Sequence, residues 1–363
     1  MANAQDHTWI ADELASTAGE TVSRPKLLLL GPSDLRGVTV ATSVASGLLG
    51  EGWTATTLGA GDGIATVAWK TSTLRNLIDR LSACEVVHIF CASSRQILRE
   101  ALPTLLLARF VGRRSVLHFV TSDIEILLEN HRRLLAPMLK LADGIVVGSR
   151  HLQKMLTRAG LNVRVLTAPV STEGITHRVR SRLQPKILAV TPLEIDANVQ
   201  AAIRAFRLVK QKYPRAELVV VGEGTQRRPL EQFGEKIGAA GISFTGGVDE
   251  AGVARVMDEC DLYLHAPLAD ESPVALIKAF AAGLPVVTSD ADGLLHMVRD
   301  RVNALIVPIG DHVGLSNAIL ELVEDEALCI RLSEQGKPES EKYSWSRVRQ
   351  DWANLYNTLR STS

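Results

Sequence analysis

Short apolar runs alternate with amphipathic stretches along most of the chain. Lys26-Leu27-Leu28-Leu29-Leu30-Gly31 is almost unbroken in apolar character and ends at Gly-Pro, as a strand buried on both faces does where it enters a loop. Residues 38–49 repeat apolar positions at helical spacing and stop at Gly50-Glu51-Gly52, and 53–58 form the next strand. The same alternation predicts strands at 86–90, 115–120, 144–148 and 163–168. Helices are predicted over 98–110 and from a Ser149 cap to Ala159-Gly160. Residues 171–184 break the pattern. They are polar, carry Arg178, Arg180 and Arg182, and read as an interdomain linker. A second series follows, with strands at 187–191, 217–221, 242–244, 262–264, 286–288 and 304–307. This predicts βαβ units wound into parallel sheets, with no short sequence period relating the halves. A last helix, 343–359, places Trp345, Val348, Trp352, Leu355, Tyr356 and Leu359 on one face, the tryptophans reading as packing anchors.

A length of 363 residues and 46% hydrophobic content suit two domains with a core each. No uncharged apolar stretch is long enough for a transmembrane helix. Residues 1–20 carry Asp6, Asp12 and Glu13 and lack the basic start and apolar run of a secretory signal. Cys84, Cys91, Cys260 and Cys329 show no C-x-x-C spacing, so neither a disulfide framework nor a zinc site is expected. A reducing, cytoplasmic setting fits best.

Net charge is zero, but residues 1–185 hold 21 Lys and Arg against 15 Asp and Glu, a net +6 balanced by −6 in the remainder. A basic first half suits an acidic acceptor or an anionic membrane surface; two halves attracting across a cleft would show the same asymmetry. No basic run is interleaved with aromatics, which argues against nucleic acid.

Chemistry concentrates in the stretch from Asp270 to Val287. Ser272 is a good N-cap and Pro273 suits the first helical position. Val274 to Ala282 follow as the helix, Gly283 ends it and Pro285 prevents continuation. A helix opening from the loop after a parallel strand points its free N–H groups into the ligand crevice of an open α/β sheet and makes a ready anion site. An ordinary capped helix of an α/β domain would read the same way.

The stretch resembles the donor-site signature of glycosyltransferase family 4: two carboxylates eight positions apart, then a small-residue helix ending in Gly-x-Pro-Val-Val. Pro273 and Ala279-Phe280-Ala281-Ala282-Gly283-Leu284-Pro285-Val286-Val287 carry the match. Further segments follow in the family's order. They are Val86-Val87-His88, Ala142-Asp143-Gly144-Ile145-Val146-Val147-Gly148-Ser149, Val219-Val220-Val221-Gly222-Glu223-Gly224, Phe244-Thr245-Gly246-Gly247-Val248 and Tyr343-Ser344-Trp345. The resemblance implies an α/β, GT-B fold, two Rossmann-like doubly wound domains facing a cleft. It implies a polar tail at 1–24, an acceptor domain at 25–172, a linker at 173–185, a nucleotide-sugar domain at 186–340, and a helix at 341–363 that crosses back to the first domain.

The resemblance also implies a nucleotide-diphosphate sugar as donor, a glycan or lipid-linked acceptor, a retaining reaction, no metal and no other cofactor. Peripheral association with the inner membrane face is a further expectation. Donor-binding positions are Gly222, Glu223, Gly224, Gly246, Gly247, Val248, Glu271, Ser272, Pro273, Val274 and Lys278. Asp270 occupies the first carboxylate position. Asp270 and His118, which stands where relatives contact the sugar, are the candidate catalytic residues; a histidine ending a buried strand is alternatively structural.

Departures from the signature fall on charged groups. Pro192 and Ala197 stand where relatives carry the Arg and Lys that hold diphosphate, although one subgroup already lacks the Lys. Lys278 replaces the second carboxylate, which accepts hydrogen bonds from ribose; an ammonium only donates. Thr121-Ser122 replaces one Gly-Gly, and Asp292-Gly293 another, bringing Asp292 near the expected phosphate. Two functions follow: a transferase, or a catalytically inactive relative acting as a partner or glycan-binding subunit. A nucleotide-sugar epimerase on the same fold is a third.

Overall fold

The computed structural model describes residues 26–31, 35–58, 71–120, 123–268 and 273–361. The expected tail, Thr121, Ser122 and Asp270-Glu271-Ser272 lie outside these residues.

The first half builds strands β1 (Lys26–Leu30), β2 (Thr54–Leu58), β3 (Val86–Cys91), β4 (Arg114–Phe119), β5 (Gly144–Val147) and β6 (Val163–Val165). Its helices are α1 (Leu35–Gly50), α2 (Thr71–Ala83), α3 (Ser94–Gln96), α4 (Leu102–Phe110), α5 (Asp123–Leu139) and α6 (Arg150–Arg158). A π turn at Ile97–Ala101 joins α3 to α4 just ahead of Pro103, which has no N–H to offer the preceding turn. The expected strands are all present, their ends within a residue of the expectation except for β6, which stops three residues short of the expected 168. All pairings are parallel, in the order β2-β1-β3-β4-β5-β6.

Alternation along β3 and β4 sends Val87, Ile89, Cys91, Leu117 and Phe119 to one face of this sheet, under α2, α4, α5 and α6. Val86, Phe90 and Val116 go to the other face.

The second half repeats the plan with β7 (Lys186–Val190), α7 (Val199–Lys212), β8 (Glu217–Val221), α8 (Arg227–Lys236), β9 (Ile242–Gly246), α9 (Glu250–Glu259) and β10 (Leu262–His265). Then follow α10 (Val274–Ala281), β11 (Val286–Ser289), β12 (Leu305–Val307), α11 (His312–Glu324) and α12 (Glu326–Glu341). The order β12-β11-β10-β7-β8-β9 is again fully parallel and reverses direction between β7 and β10. Helices α7 and α11 cover one face, α9 and α10 the other. Ser149 and Asp249 cap α6 and α9, accepting from Leu152 N at 3.2 Å and Gly252 N at 2.8 Å; each such cap stabilises by about 1 kcal/mol.

The closing helix, α13 (Trp345–Ser361), returns to the first sheet. Val348, Trp352, Leu355, Tyr356 and Leu359 are buried with Val86, Phe90, Val116 and residues of α1. Trp345 lies flat on Gly47, where a Cβ would sit 2.1 Å from the indole. The helix thus bolts the two halves together as the resemblance implies.

The segment between the sheets is not a loose tether. Arg180 is only 2% exposed. Its guanidinium donates to Arg178 O at 2.6 Å, Met257 O at 2.7 Å, Cys260 O at 3.4 Å and Ala282 O. The sequence offered no period here because side chains of an irregular strand dock one by one. Among the described residues no helix is long and apolar enough to cross a membrane.

Candidate functional site

In a doubly wound sheet the crevice opens outside the carboxyl ends of the strands, where the order reverses. In the second sheet that point lies between β7 and β10, and the surrounding loops are tightly stitched. Leu193 N donates to Glu223 O at 2.9 Å and Gln226 N to Leu193 O at 2.9 Å. The Glu194 carboxylate accepts from Thr225 N at 2.9 Å and Thr225 Oγ1 at 2.6 Å. Asn198, in the left-handed region with φ +48°, donates from Nδ2 to Ala266 O at 3.1 Å across the reversal. Leu268 N donates to Asp196 O at 2.8 Å. Two of the four expected glycines on these loops leave no room for a side chain. A Cβ on Gly222 (φ +145°) would lie 2.0 Å from Thr191 O, and one on Gly224 2.3 Å from Leu193 O. Gly222 N in turn donates to Gly246 O at 2.9 Å, so the Gly222-Glu223-Gly224 and Gly246-Gly247-Val248 turns meet.

Helix α10 begins at Val274, after Pro273, whose own side chain can offer no cap. Val274, Ala275 and Val248 pack against one apolar cluster. Lys278, one turn on, points back along this face because helical side chains tilt toward the N-terminus. It is buried, and its ammonium is paired with Glu250 in the first turn of α9. At this expected donor-binding position the charge is thus already engaged by a carboxylate. The sequence carried no sign of this partner, 28 residues away.

No cation stands at Pro192, which is exposed, or at Ala197, which packs against the core. Arg227 is held by Glu223 and by Glu231 at 3.0 Å, and donates to Phe244 O at 3.3 Å. Glu223 is thereby drawn into an ion pair. Asp292 is exposed in the loop after β11. Neighbouring Asp290 accepts from Ile309 N at 2.8 Å. A surface depression of about 440 Å³ lies instead at the edge strand β9 beside α8, lined by Gly234, Ala239 and Phe244. It lacks the convergence of strand-end loops found at the crevice. Among the described residues no three His, Cys, Asp or Glu are grouped to hold a metal.

The Glu250–Lys278 pair yields a prediction. Removing Glu250 leaves a buried ammonium unpaired, so Glu250→Ala is expected to cost about 2 kcal/mol, the upper range being out of reach because Glu250 is largely exposed. Lys278→Met in the same chain should recover most of the loss, since an apolar replacement of both partners is nearly neutral. Urea denaturation of the four variants of this cycle measures it; equal losses in the single and double variants would refute the pairing energy.

His118 does not face a cleft, which corrects the expectation placed on it. It points from β4 into the core under α13, 1% exposed, 5.7 Å between ring centroids from Trp352 and 5.1 Å from Phe90. Register decides this: in β4 it shares a face with Val116, not with Leu117 and Phe119. On β3, His88 accompanies it, Nδ1 sitting 2.7 Å from Tyr356 Oη. Burial keeps both rings neutral, lowering His118 from 6.5 to about 3 and His88 well below its usual value. The unfolded chain binds protons here below about pH 6.5 and the folded chain does not. Stability from the neutral rings is thus fully present above that pH and lost as pH falls toward 3. His118→Leu should reduce the slope of stability against pH between about 4 and 6 by about 1.4 kcal/mol per unit. An unchanged slope in pH-dependent denaturation would refute a buried neutral ring.

Residues 177–339 match the model of the family described as glycosyl transferases group 1. The phosphatidyl-myo-inositol mannosyltransferase of Mycobacterium leprae is 32% identical over 155 residues, 42% of this chain and 41% of that protein. The amylovoran biosynthesis glycosyltransferase AmsK of Erwinia amylovora is 27% identical over 229 residues, 59% and 56% of the two chains. The match thus spans about two-fifths of the length of the mannosyltransferase. Among solved structures, Anabaena Alr3699/HepE in complex with UDP and glucose superposes with a TM-score of 0.72 at 16% identity, over 92% of this chain and 100% of that one. Sucrose-phosphate synthase from Thermosynechococcus elongatus gives 0.73 at 16% identity, over 94% and 100%. At that identity the likeness is one of fold, the two-domain GT-B arrangement.

Proposed function

We propose that this chain, whose residues 177–339 belong to the group 1 glycosyl transferases, moves a sugar from a nucleotide-diphosphate donor to a glycan or lipid-linked acceptor with retention of configuration. The observation that carries the reading is the stitched crevice of the second sheet. Glycine turns at Gly222–Gly224 and Gly246–Gly247 close β8 and β9, and α10 starts after β10 at Val274, behind a proline that offers its backbone N–H groups no cap. Departure of a nucleoside diphosphate builds negative charge, and fixed amides aimed at that charge lower the barrier without reorganisation. The HepE structure holds UDP and glucose, which supports a nucleotide sugar as donor, and AmsK is named as a glycosyltransferase of amylovoran biosynthesis. No side-chain nucleophile is required if the donor phosphate itself helps to deprotonate the acceptor hydroxyl. The acceptor lies on the first domain, which associates peripherally with the inner membrane face. We further propose domain limits of 25–172 and 186–340 around the anchored segment 173–185, with 341–363 as the helix that returns.

A second reading is favoured by one feature. Two cationic side chains beside the crevice are already paired with carboxylates, Lys278 with Glu250 and Arg227 with Glu223 and Glu231, while Pro192 and Ala197 supply no cation. A chain that retains the cleft and has lost catalysis would look the same. Calorimetric titration with UDP, GDP and their sugars separates the two. Binding accompanied by donor hydrolysis supports the transferase and excludes the inactive relative. No binding by the native chain, with binding gained by Pro192→Arg together with Lys278→Glu and Glu250→Gln, excludes the transferase.

A further inference from the structure

The excess positive charge of the first half is confined to one stretch. Residues 94–158 hold 11 Lys and Arg against 5 Asp and Glu, a net +6 equal to that of the whole first half. In the fold this stretch builds β4 and β5 and the helices α3, α4, α5 and α6; the helices and the π turn hold eight of the basic residues against four acids, cover the same face of the first sheet and turn their outer sides to solvent.

Those outer sides are unusual. Along α3, the π turn and α4, Leu98 (47% exposed), Leu106 (48%) and Phe110 (88%) face water. Exposed Arg95, Arg99 and Arg109 lie between them. Helix α5 adds Leu134 (73% exposed) beside exposed Arg133. On α6, Arg150, Lys154 and Arg158 recur every four residues along one exposed stripe. Of the acids whose side chains are described on these helices, Glu129 alone is fully exposed, Glu100 and Glu125 being half-buried. An ordinary surface helix turns its apolar stripe inward and its polar side out. Here the core-facing stripe is satisfied, with Leu102, Leu105 and Ala108 buried, and a second apolar stripe laced with arginine remains outside.

We propose that this face lies on an anionic phospholipid surface. Phe110, Leu106, Leu98 and Leu134 sink to the level of the headgroups, and the guanidinium groups reach lipid phosphates while their stems cover apolar surface. Seventeen helical residues from Ser94 to Phe110 make a footprint roughly 25 Å long. Charge selects the occupant: a symmetric contact with a second copy would set this basic face against itself, whereas an anionic leaflet complements it. The inference rests on the peripheral membrane association proposed above and assigns it a surface.

The test is co-sedimentation of the full chain with vesicles of phosphatidylcholine alone and of phosphatidylcholine with phosphatidylglycerol. Binding is expected only to the second, weakening as salt rises. Arg99→Gln with Arg109→Gln should weaken it by roughly 30-fold, and Phe110→Ser by roughly tenfold. These positions are exposed, so the variants should melt with the native protein, which thermal unfolding checks. A native chain that binds neither vesicle overturns membrane association itself. Native binding to anionic vesicles that both variants retain overturns the assignment of this face alone. Equal uptake on neutral vesicles, or self-association abolished by Phe110→Ser without vesicle binding, overturns the anionic-lipid occupant.

Discussion

Replacing Arg180 with methionine is expected to lower the stability of the protein by about 4 kcal/mol. Its buried guanidinium donates to carbonyls at the ends of two helices, Met257 and Cys260 at the close of α9 and Ala282 just past α10. These are groups that a helix end leaves without partners, and they carry the negative pole of the helix dipole. Nearby backbone completes the clasp. Arg180 N donates to Ser333 Oγ at 3.2 Å, Ser333 Oγ to Gly283 O, and Cys329 Sγ to Arg180 O at 3.2 Å.

Methionine keeps the volume of the stem and removes every donor, leaving several buried carbonyls unpaired. Lysine should rescue little, because one ammonium cannot reproduce the planar fork that reaches both helix ends. Guanidinium chloride denaturation measures the loss. A cost below about 1 kcal/mol would mean that water replaces the guanidinium at those carbonyls.

Trp352→Ala should cost about as much, roughly 3–5 kcal/mol, for a different reason. The indole is fully buried against the first sheet, 5.7 Å between centroids from both His88 and His118, and Nε1 donates to Thr167 O at 3.0 Å. Truncation opens a cavity under α13 and removes a donor from a buried carbonyl. Because α13 follows the second domain in the chain but packs on the first, the loss should also loosen the connection between them. Hydrogen exchange is expected to accelerate in α13 and in β3 and β4 before it does in β7 and β8. Uniform acceleration across both sheets would show that the helix does not act as a separate fastening.

Periodicity alone determined the architecture. After their first, exposed residue, runs such as Lys26–Leu30 and Glu217–Val221 are apolar throughout because a parallel strand is covered on both faces, so each declared itself without reference to the rest of the chain. Turn glycines were equally legible: Gly222 and Gly224 are required by the approach of Thr191 and Leu193 carbonyls, and no other residue fits. The face of α13 and the family signature from Pro273 to Val287 could be read for the same reason, each being local.

What only the tertiary structure decided is which charges meet and which way a strand residue points. His118 sits in a strand that is apolar on both sides, so composition could not tell core from crevice; the register of β4 under Trp352 did. Lys278 stood out as an inverted charge, yet its partner Glu250 lies on another helix. Arg180 belonged to a stretch with no period, and its role depends on two helix ends brought to it by the winding of the second sheet. The arginines of α3–α6 were counted in the sequence, but their gathering on one face with Phe110 needed four helices laid side by side. Hydrophobic burial has a period that a chain writes along itself, whereas pairing of charges and donors is a matter of distance in space.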